Sequence, residues 1–225
     1  MVDKAKLSRK IFFFLFLIVV LYSILFFIPA GTFDYWQAWM YLILLILMMS
    51  AMSIFLIKTD PELLQRRMQY SERRKEQKRL IFWSYPLFVL IFIMPGFDQR
   101  FGWSNLSPGI SIIAEVLVVI AYGFVALVFR ENSYTSRIIE VAPDQKVIDT
   151  GPYALMRHPM YVGMLLMYFA TPLALGSWVA FLVAPLMIPV IVIRIKDEEK
   201  TLLEELPGYR EYTQKVKYRL IPGVW

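Results

Sequence analysis

Thirty-four consecutive residues, Met160 to Ile193, pass without a single charged side chain, and few folds open to a chain of this length tolerate such a run. Crossing the roughly 30 Å hydrocarbon core of a bilayer takes about 20 apolar residues, so the run is long enough for two arms of a helical hairpin. Four further apolar stretches precede it, at 11–28, 35–57, 80–94 and 110–129. Inside the long run Pro172, Gly176 and Ser177 mark a turn, because proline breaks the helical ladder and glycine permits a reversal. The pattern predicts an all-α integral membrane protein with five to six transmembrane helices. It reads as six crossings, or as four plus a C-terminal hairpin that does not span fully. The third stretch is short, and Pro86 and Pro95 blur its limits.

Composition agrees. Hydrophobic residues make up 58% of the chain and mean hydropathy is +0.54, whereas soluble domains are roughly 45–50% apolar. The absence of cysteine excludes disulfides, thiolate metal sites, cysteine nucleophiles and self-prenylation at the C-terminus. A single histidine, His158, argues against a zinc site, and no metal is expected. A net charge of +6 would point to nucleic acid in a soluble chain. Here 23 of the 24 Lys and Arg residues fall in the segments 1–10, 58–79, 130–157 and 194–219, with Arg100 alone on the other side. By the positive-inside rule both termini and all four segments face the cytoplasm; the charge orients the protein in its membrane.

Other features refine this frame. The run 11–28 follows Lys4, Lys6, Arg9 and Lys10 like a signal peptide, but Ile28-Pro29-Ala30-Gly31-Thr32 lacks a small-x-small cleavage pattern, so it reads as a retained first span. Tyr35, Trp36, Trp39, Trp103 and Trp178 are expected as anchors at the outer interface. The segment 58–79, with 8 basic and 4 acidic residues and Pro61 suited to the first turn of a surface helix, is expected to fix topology and touch anionic headgroups. The segment 130–150 is polar and irregular, as functional loops often are. No strand-helix alternation or GxGxxG loop exists to build a soluble nucleotide-binding fold.

Two clusters carry the chemistry. The first is GPYALMRHPMYVG, Gly151 to Gly163, at the mouth of the hairpin; the second, one hairpin later, is Arg194, Asp197, Glu198 and Glu199. Titratable groups so close to lipid are costly unless they are used. With Gly151, Pro152, Tyr153, Arg157, His158, Pro159 and Tyr161, then Glu198-Glu199, then Tyr209, Tyr212, Arg219 and Pro222, the chain from about Asn132 onward resembles the integral membrane methyltransferases typified by isoprenylcysteine carboxyl methyltransferase and the phospholipid N-methyltransferases. The first half, residues 1–130, reads as ordinary spans; residues 131–225 read as the methyltransferase region.

The resemblance implies S-adenosylmethionine clasped between the loop before the Arg-His-Pro motif and the helix carrying the glutamate pair, with a lipid or prenylated acceptor entering from the membrane and no nucleic acid involved. It assigns cofactor binding to Gly151, Pro152, Tyr153, His158, Pro159, Tyr161, Glu198, Glu199, Tyr209 and Tyr212, and a place at the chemistry to Arg157, Arg194 and Glu199. Asn132 and Tyr134 fit its polar entry. A carboxylate suits an α-amino cation, an arginine a carboxylate, and aromatic rings an adenosine.

Helical spacing puts Glu199 on one face with Ile195, Leu202, Leu203 and Leu206, pointing inward, and Glu198 on another with Arg194 and Glu205. Each residue also has a structural reading: a salt-bridged amphipathic helix for the glutamates, a snorkelling anchor for Arg157, a hydrogen-bonded interfacial histidine for His158. Glu115, inside the fourth span, lines a lipid cavity or contacts another helix on this reading. Two rival functions remain, an NADPH-dependent membrane sterol-type reductase and a non-enzymatic scaffold or transporter. The first uses a phosphate-bearing cofactor that needs several Arg or Lys around the site, and the shortness of the Glu-rich C-terminal region argues against it; the second is disfavoured by spans that carry almost no polar residues apart from Glu115.

Overall fold

The computed structural model describes residues 3–68, 75–135, 138–142 and 144–225. Parts of the basic segment 58–79 and of the loop 130–150 lie outside the described residues. Those that are described form helices and connecting turns, with no strand.

Helix α1, Lys4–Ala30, starts where Asp3 accepts from the backbone N–H groups of Ala5 and Lys6 (both 3.0 Å) and stops at Gly31, whose φ of 67° continues no right-handed helix. Helix α2 spans Trp36–Thr59. A short α3, Pro61–Arg67, begins with proline at its first turn and with the Asp60 carboxylate accepting from Leu63 N–H at 2.9 Å. Leu63 and Leu64 bury it against Leu7, Ile11, Met52, Leu56, Val125 and Phe129.

Helix α4 runs from Lys75 to Phe101 with both Pro86 and Pro95 inside it, so the third span is far longer than the 80–94 read from the sequence. Proline weighs less against a helix packed among others in a membrane, because neighbouring elements satisfy the carbonyls it frees. Next to Pro95, Gly96 lets α1 approach closely: a Cβ there would lie 2.6 Å from the Phe26 carbonyl oxygen.

Helix α5, Pro108–Glu131, pairs with α6, Pro159–Ala174, in the most extensive helix contact of the bundle. Gly163 makes that pairing possible, since a Cβ at this position would come within 2.6 Å of Val125 Cγ2 and 3.3 Å of the Ala121 carbonyl oxygen. At about 1.5 Å per residue, α6 with its 16 residues falls short of the hydrocarbon thickness. The chain turns at Leu175–Ser177, with Gly176 at φ 79°. It returns through α7 (Trp178–Phe181), a 3-10 turn (Ala184–Leu186) and α8 (Met187–Glu205).

Among the described residues five helices, with Trp178–Glu205 counted as one, are long and apolar enough to cross a membrane, and α6 is the shorter arm of the hairpin. Exposed Phe12, Phe13 and Phe16 on α1 and Ile113, Val116 and Ile120 on α5 cover the outside of the bundle, as a lipid-facing surface requires. At the far end from the two motifs, Asp98 accepts from Ser104 and Ser177, tying α4 to the hairpin turn. Trp36, Trp39, Trp103 and Trp178 are exposed as anchors should be, but Tyr35 is buried and donates to the Leu175 carbonyl. Its ring is a strut between α2 and the hairpin turn.

Candidate functional site

Both motifs meet at the end of the bundle that carries the basic loops. Gly151, at φ 55°, opens a 3-10 turn over Gly151–Ala154 and lies so close to Glu131 that a Cβ would approach its Cδ to 2.9 Å. Pro152 starts that turn and Pro159 starts α6, each where a missing N–H costs nothing. Between them Arg157 and His158 are held by the C-terminal segment: Arg157 N–H donates to the Tyr218 carbonyl and His158 N–H to the Arg219 carbonyl, each at 2.9 Å.

Glu199 is the hub, and its inward position follows from the helix face read from the sequence. Its Oε1 accepts from Arg157 Nε at 2.7 Å and lies 3.4 Å from His158 Nε2, while Oε2 accepts from Arg219 Nε at 2.7 Å. Arg157 also donates through Nη1 to the carbonyls of Val216 and Lys217 (2.8 and 3.0 Å). One buried carboxylate thus joins α8, the turn before α6 and the C-terminal segment, and its oxygens are taken up within the protein. Stacking of the Arg219 guanidinium on the Trp225 ring, 5.2 Å from its centroid, completes the arrangement.

Glu198 faces the other way. Its Oε2 accepts from the Tyr161 hydroxyl at 2.6 Å, its Oε1 lies 3.8 Å from His158 Nδ1, and its side chain keeps 28% exposure. The Tyr161 oxygen in turn accepts from Arg194 Nε at 3.0 Å, so Glu198 and Arg194 communicate through a phenol. Arg194 Nη1 reaches Gln77 Oε1 at 3.3 Å, and Gln77 Nε2 donates to Asp197 at 2.6 Å. Gln77, on α4 and buried, was absent from the sequence reading; its one signal is that it is the only uncharged residue in Lys75–Arg79.

A polar cavity of about 100 Å³ lies beside these residues. Asn132, Tyr134, Tyr153, Arg157, His158, Tyr161, Arg194, Glu198, Tyr209 and Tyr212 line it, together with Val147, Leu202 and Leu206. Of the residues predicted to hold a cofactor, Gly151, Pro152 and Pro159 shape the backbone beside the cavity, and Glu199 sits behind its wall. Burial pushes the phenols of Tyr153, Tyr209 and Tyr212 above the ordinary tyrosine value, helped at Tyr209 by the charges of Glu199 and Glu198. They remain neutral donors. Tyr212 donates to the Tyr153 carbonyl at 2.8 Å, whereas the buried Tyr209 hydroxyl has no partner among the described residues.

A second, larger cavity of about 570 Å³ adjoins the first from the membrane side. Its walls are mainly apolar side chains of α1 to α6 and α8, rich in methionine (Met49, Met52, Met68, Met160, Met164, Met167, Met187), with Arg67 and Arg194 among them. Ile138, Met160, Tyr161 and Arg194 line both cavities, so the polar chamber and the apolar one share a wall. Glu115 lines neither; it is buried in α5, and neither of its oxygens has a partner among the described residues.

Residues 110–210 match the family model described as phospholipid methyltransferase. That stretch takes in α5 from Ile110 onward, ahead of Asn132, where the motif resemblance begins. No curated protein matches the chain significantly. Among solved structures the chain is similar to the eukaryotic intramembrane Ras methyltransferase, isoprenylcysteine carboxyl methyltransferase, at 15% identity and a TM-score of 0.47, covering 96% of this chain and 84% of that one. The phospholipid methyltransferase pattern thus covers 101 of the 225 residues, from α5 to the segment after α8, in a chain whose described residues include five helices long and apolar enough to cross a membrane.

Proposed function

We propose that this protein transfers a methyl group from S-adenosylmethionine to the headgroup of an amphiphile that reaches the site from the bilayer. The observation that carries the reading is the shared wall: a polar cavity and an apolar cavity of about 570 Å³ meet at Met160, Tyr161 and Arg194. A headgroup at that junction would have its tail among methionines and its reacting atom beside the polar chamber. In this reading residues 1–130 mainly wall the acceptor cavity and residues 131–225 hold the cofactor.

The residue types fit the cofactor. Glu198, partly exposed and lining the polar cavity, suits an α-amino cation; the buried Tyr209 hydroxyl is a donor in search of an acceptor. Leu202, Leu206, Val147 and the tyrosine rings suit an adenosine. Because the enclosed space is only about 100 Å³, small beside ligand pockets of about 300–1,000 Å³, a nucleoside would displace part of the wall formed by Tyr134, Ile138, Ile139, Gln145 and Val147. When bound, the cofactor supplies an electrophilic methyl on a sulfonium. Glu199, Arg157, His158 and Arg219 hold the chamber's shape by joining α8 to the motif turn. Tyr161 and Arg194 align the acceptor at the junction and close it to water, which is most of what an in-line displacement requires. A carboxylate acceptor needs no base, since it arrives ionised and becomes a neutral ester; an amine acceptor sheds a proton, for which Glu198 and His158 are the nearest candidates.

Both termini are placed in the cytoplasm in this reading, supported by the distribution of the basic residues. Calorimetry on detergent-solubilised protein with S-adenosylmethionine and NADPH separately is the direct trial. Binding of the first alone, followed by transfer of labelled methyl into the organic phase of a lipid extract, is the expected result. Binding of NADPH alone, or label confined to water-soluble products, would overturn it.

A further inference from the structure

The sequence assigns the basic segment 58–79 to topology and headgroup contact, and for most of its residues the structure offers no reason to say otherwise. Arg67 differs. Within α3 it lies four residues after Leu63 and three after Leu64, the two leucines that bury the helix, while Glu62 and Gln65 are exposed. Spacings of three and four residues put side chains on one face, so Arg67 is carried inward with the anchoring leucines. An arginine that merely fixed topology would sit on the outer face.

The contacts show where it goes. Its guanidinium lies over the Phe129 ring, 4.3 Å from the centroid, and Nη1 is 3.7 Å from Met160 Sδ. Arg67 lines the 570 Å³ apolar cavity, and Met160 is one of the residues that this cavity shares with the polar chamber. A planar cation therefore stands in a largely apolar wall that also holds Arg194, next to the junction at which transfer is proposed. Guanidinium recognises carboxylate and phosphate through paired hydrogen bonds, and an apolar surround strengthens such a pair.

We propose that Arg67 is the anion-recognition residue of the acceptor subsite: it receives a negatively charged group, carboxylate or phosphate, of the amphiphile whose tail fills the cavity. This rests on the reading of that cavity as the acceptor site. A carboxylate held there would itself be the group methylated. A phosphate held there would leave a neighbouring amine to reach the polar chamber.

Binding of three amphiphiles with identical tails, dodecanoate, dodecyl phosphate and dodecyltrimethylammonium, to the full-length protein in a neutral detergent tests the proposal. Both anions are expected to bind wild-type protein at least about tenfold more tightly than the cation. Arg67→Gln should abolish most of that preference and Arg67→Lys should retain a good part of it, with affinity for S-adenosylmethionine unchanged in both. A higher affinity for dodecyl phosphate than for dodecanoate assigns the anion to a phospholipid; the reverse assigns it to a carboxylate acceptor. Equal binding of all three heads by wild-type protein overturns the proposal without any variant, and so does an undiminished preference in folded Arg67→Gln. Failure of S-adenosylmethionine to bind, with the anion preference intact, would instead strike the proposed cofactor.

Discussion

Glu198 and Glu199 are adjacent, yet one step along a helix turns about 100°, and that turn separates two tasks. Glu199 is enclosed by Arg157, Arg219 and His158, while Glu198 reaches the polar cavity through Tyr161. Sequence spacing gives Glu199 its inward face but not the partners that occupy it, because two of them come from segments 42 residues before it and 20 after. Removing one member of a buried ion cluster leaves the rest uncompensated at a cost of about 3–5 kcal/mol. Glu199→Gln should therefore lower the melting temperature in detergent markedly. Glu198→Gln should leave melting nearly unchanged and weaken S-adenosylmethionine about tenfold or more, the loss expected of one charge-assisted hydrogen bond. The reverse pattern, with melting lowered by Glu198→Gln alone, would exchange the two roles. The tyrosines add a pH expectation. Burial raises Tyr153, Tyr209 and Tyr212, so the folded state holds their protons more tightly than the unfolded chain. Their contribution to stability is complete below the unfolded value of about 10 and is lost as pH rises beyond it. Melting temperature should accordingly show no loss from tyrosine ionisation between about pH 7 and 9; a fall that Tyr209→Phe and Tyr212→Phe together remove would contradict this.

Among the elements, the α5–α6 pair is the one on which the site depends most, since α6 begins at Pro159 directly after His158. Gly163, one turn into α6, packs against Ala121 and Val125 at distances that leave no room for a side chain. Gly163→Val should push the helices apart at a cost of about 1–3 kcal/mol and weaken cofactor binding with it, because the motif turn would move too. Gly123→Ala on α5, where a Cβ meets nothing, is the matched control; equal effects on melting would show that the close approach is not what matters. Helix boundaries were legible in proportion to what marks them locally. Pro159, Pro61 and Gly176 announce their elements, and the apolar runs announce the spans. Pro86 and Pro95 misled because proline weighs less against a packed membrane helix than against one in water. Tyr35 carries an anchor's signature, and only the hairpin turn folding back over it turns the ring into a buried strut. The motif residues were legible as a group; Gln77 and Arg67 were not, because what places them is the packing of α3 and α4 rather than any spacing within their own segments.

At the level of the whole molecule, the helix count bears on which face the chain ends share, and the basic residues on which side that face takes. Four long helices, α1, α2, α4 and α5, followed by a hairpin that returns to the side it left, bring both chain ends to the same face of the bundle. By sequence, the segments 1–10, 58–79, 130–157 and 194–219 hold 23 of the 24 Lys and Arg residues, and their described parts lie at that face; Arg100 alone is near the opposite end, beside Gly31. Basic loops are retained on the cytoplasmic side during insertion, so that face, with the motif turn, α8 and the C-terminal segment, is expected to be cytoplasmic. The hairpin does not alter the argument even though α6 is too short to cross alone, because a re-entrant arm and a full crossing pair both end where they began. A reporter active only outside the cytoplasm, fused after Trp225, should therefore remain silent, while the same reporter inserted between Gly102 and Ser107 should be active. Activity after Trp225 with silence at 102–107 would invert the protein in the membrane and put its polar cavity on the side away from the cytosolic supply of methyl donor. Activity at both sites would break the even number of crossings instead, and the element to re-examine would then be α6.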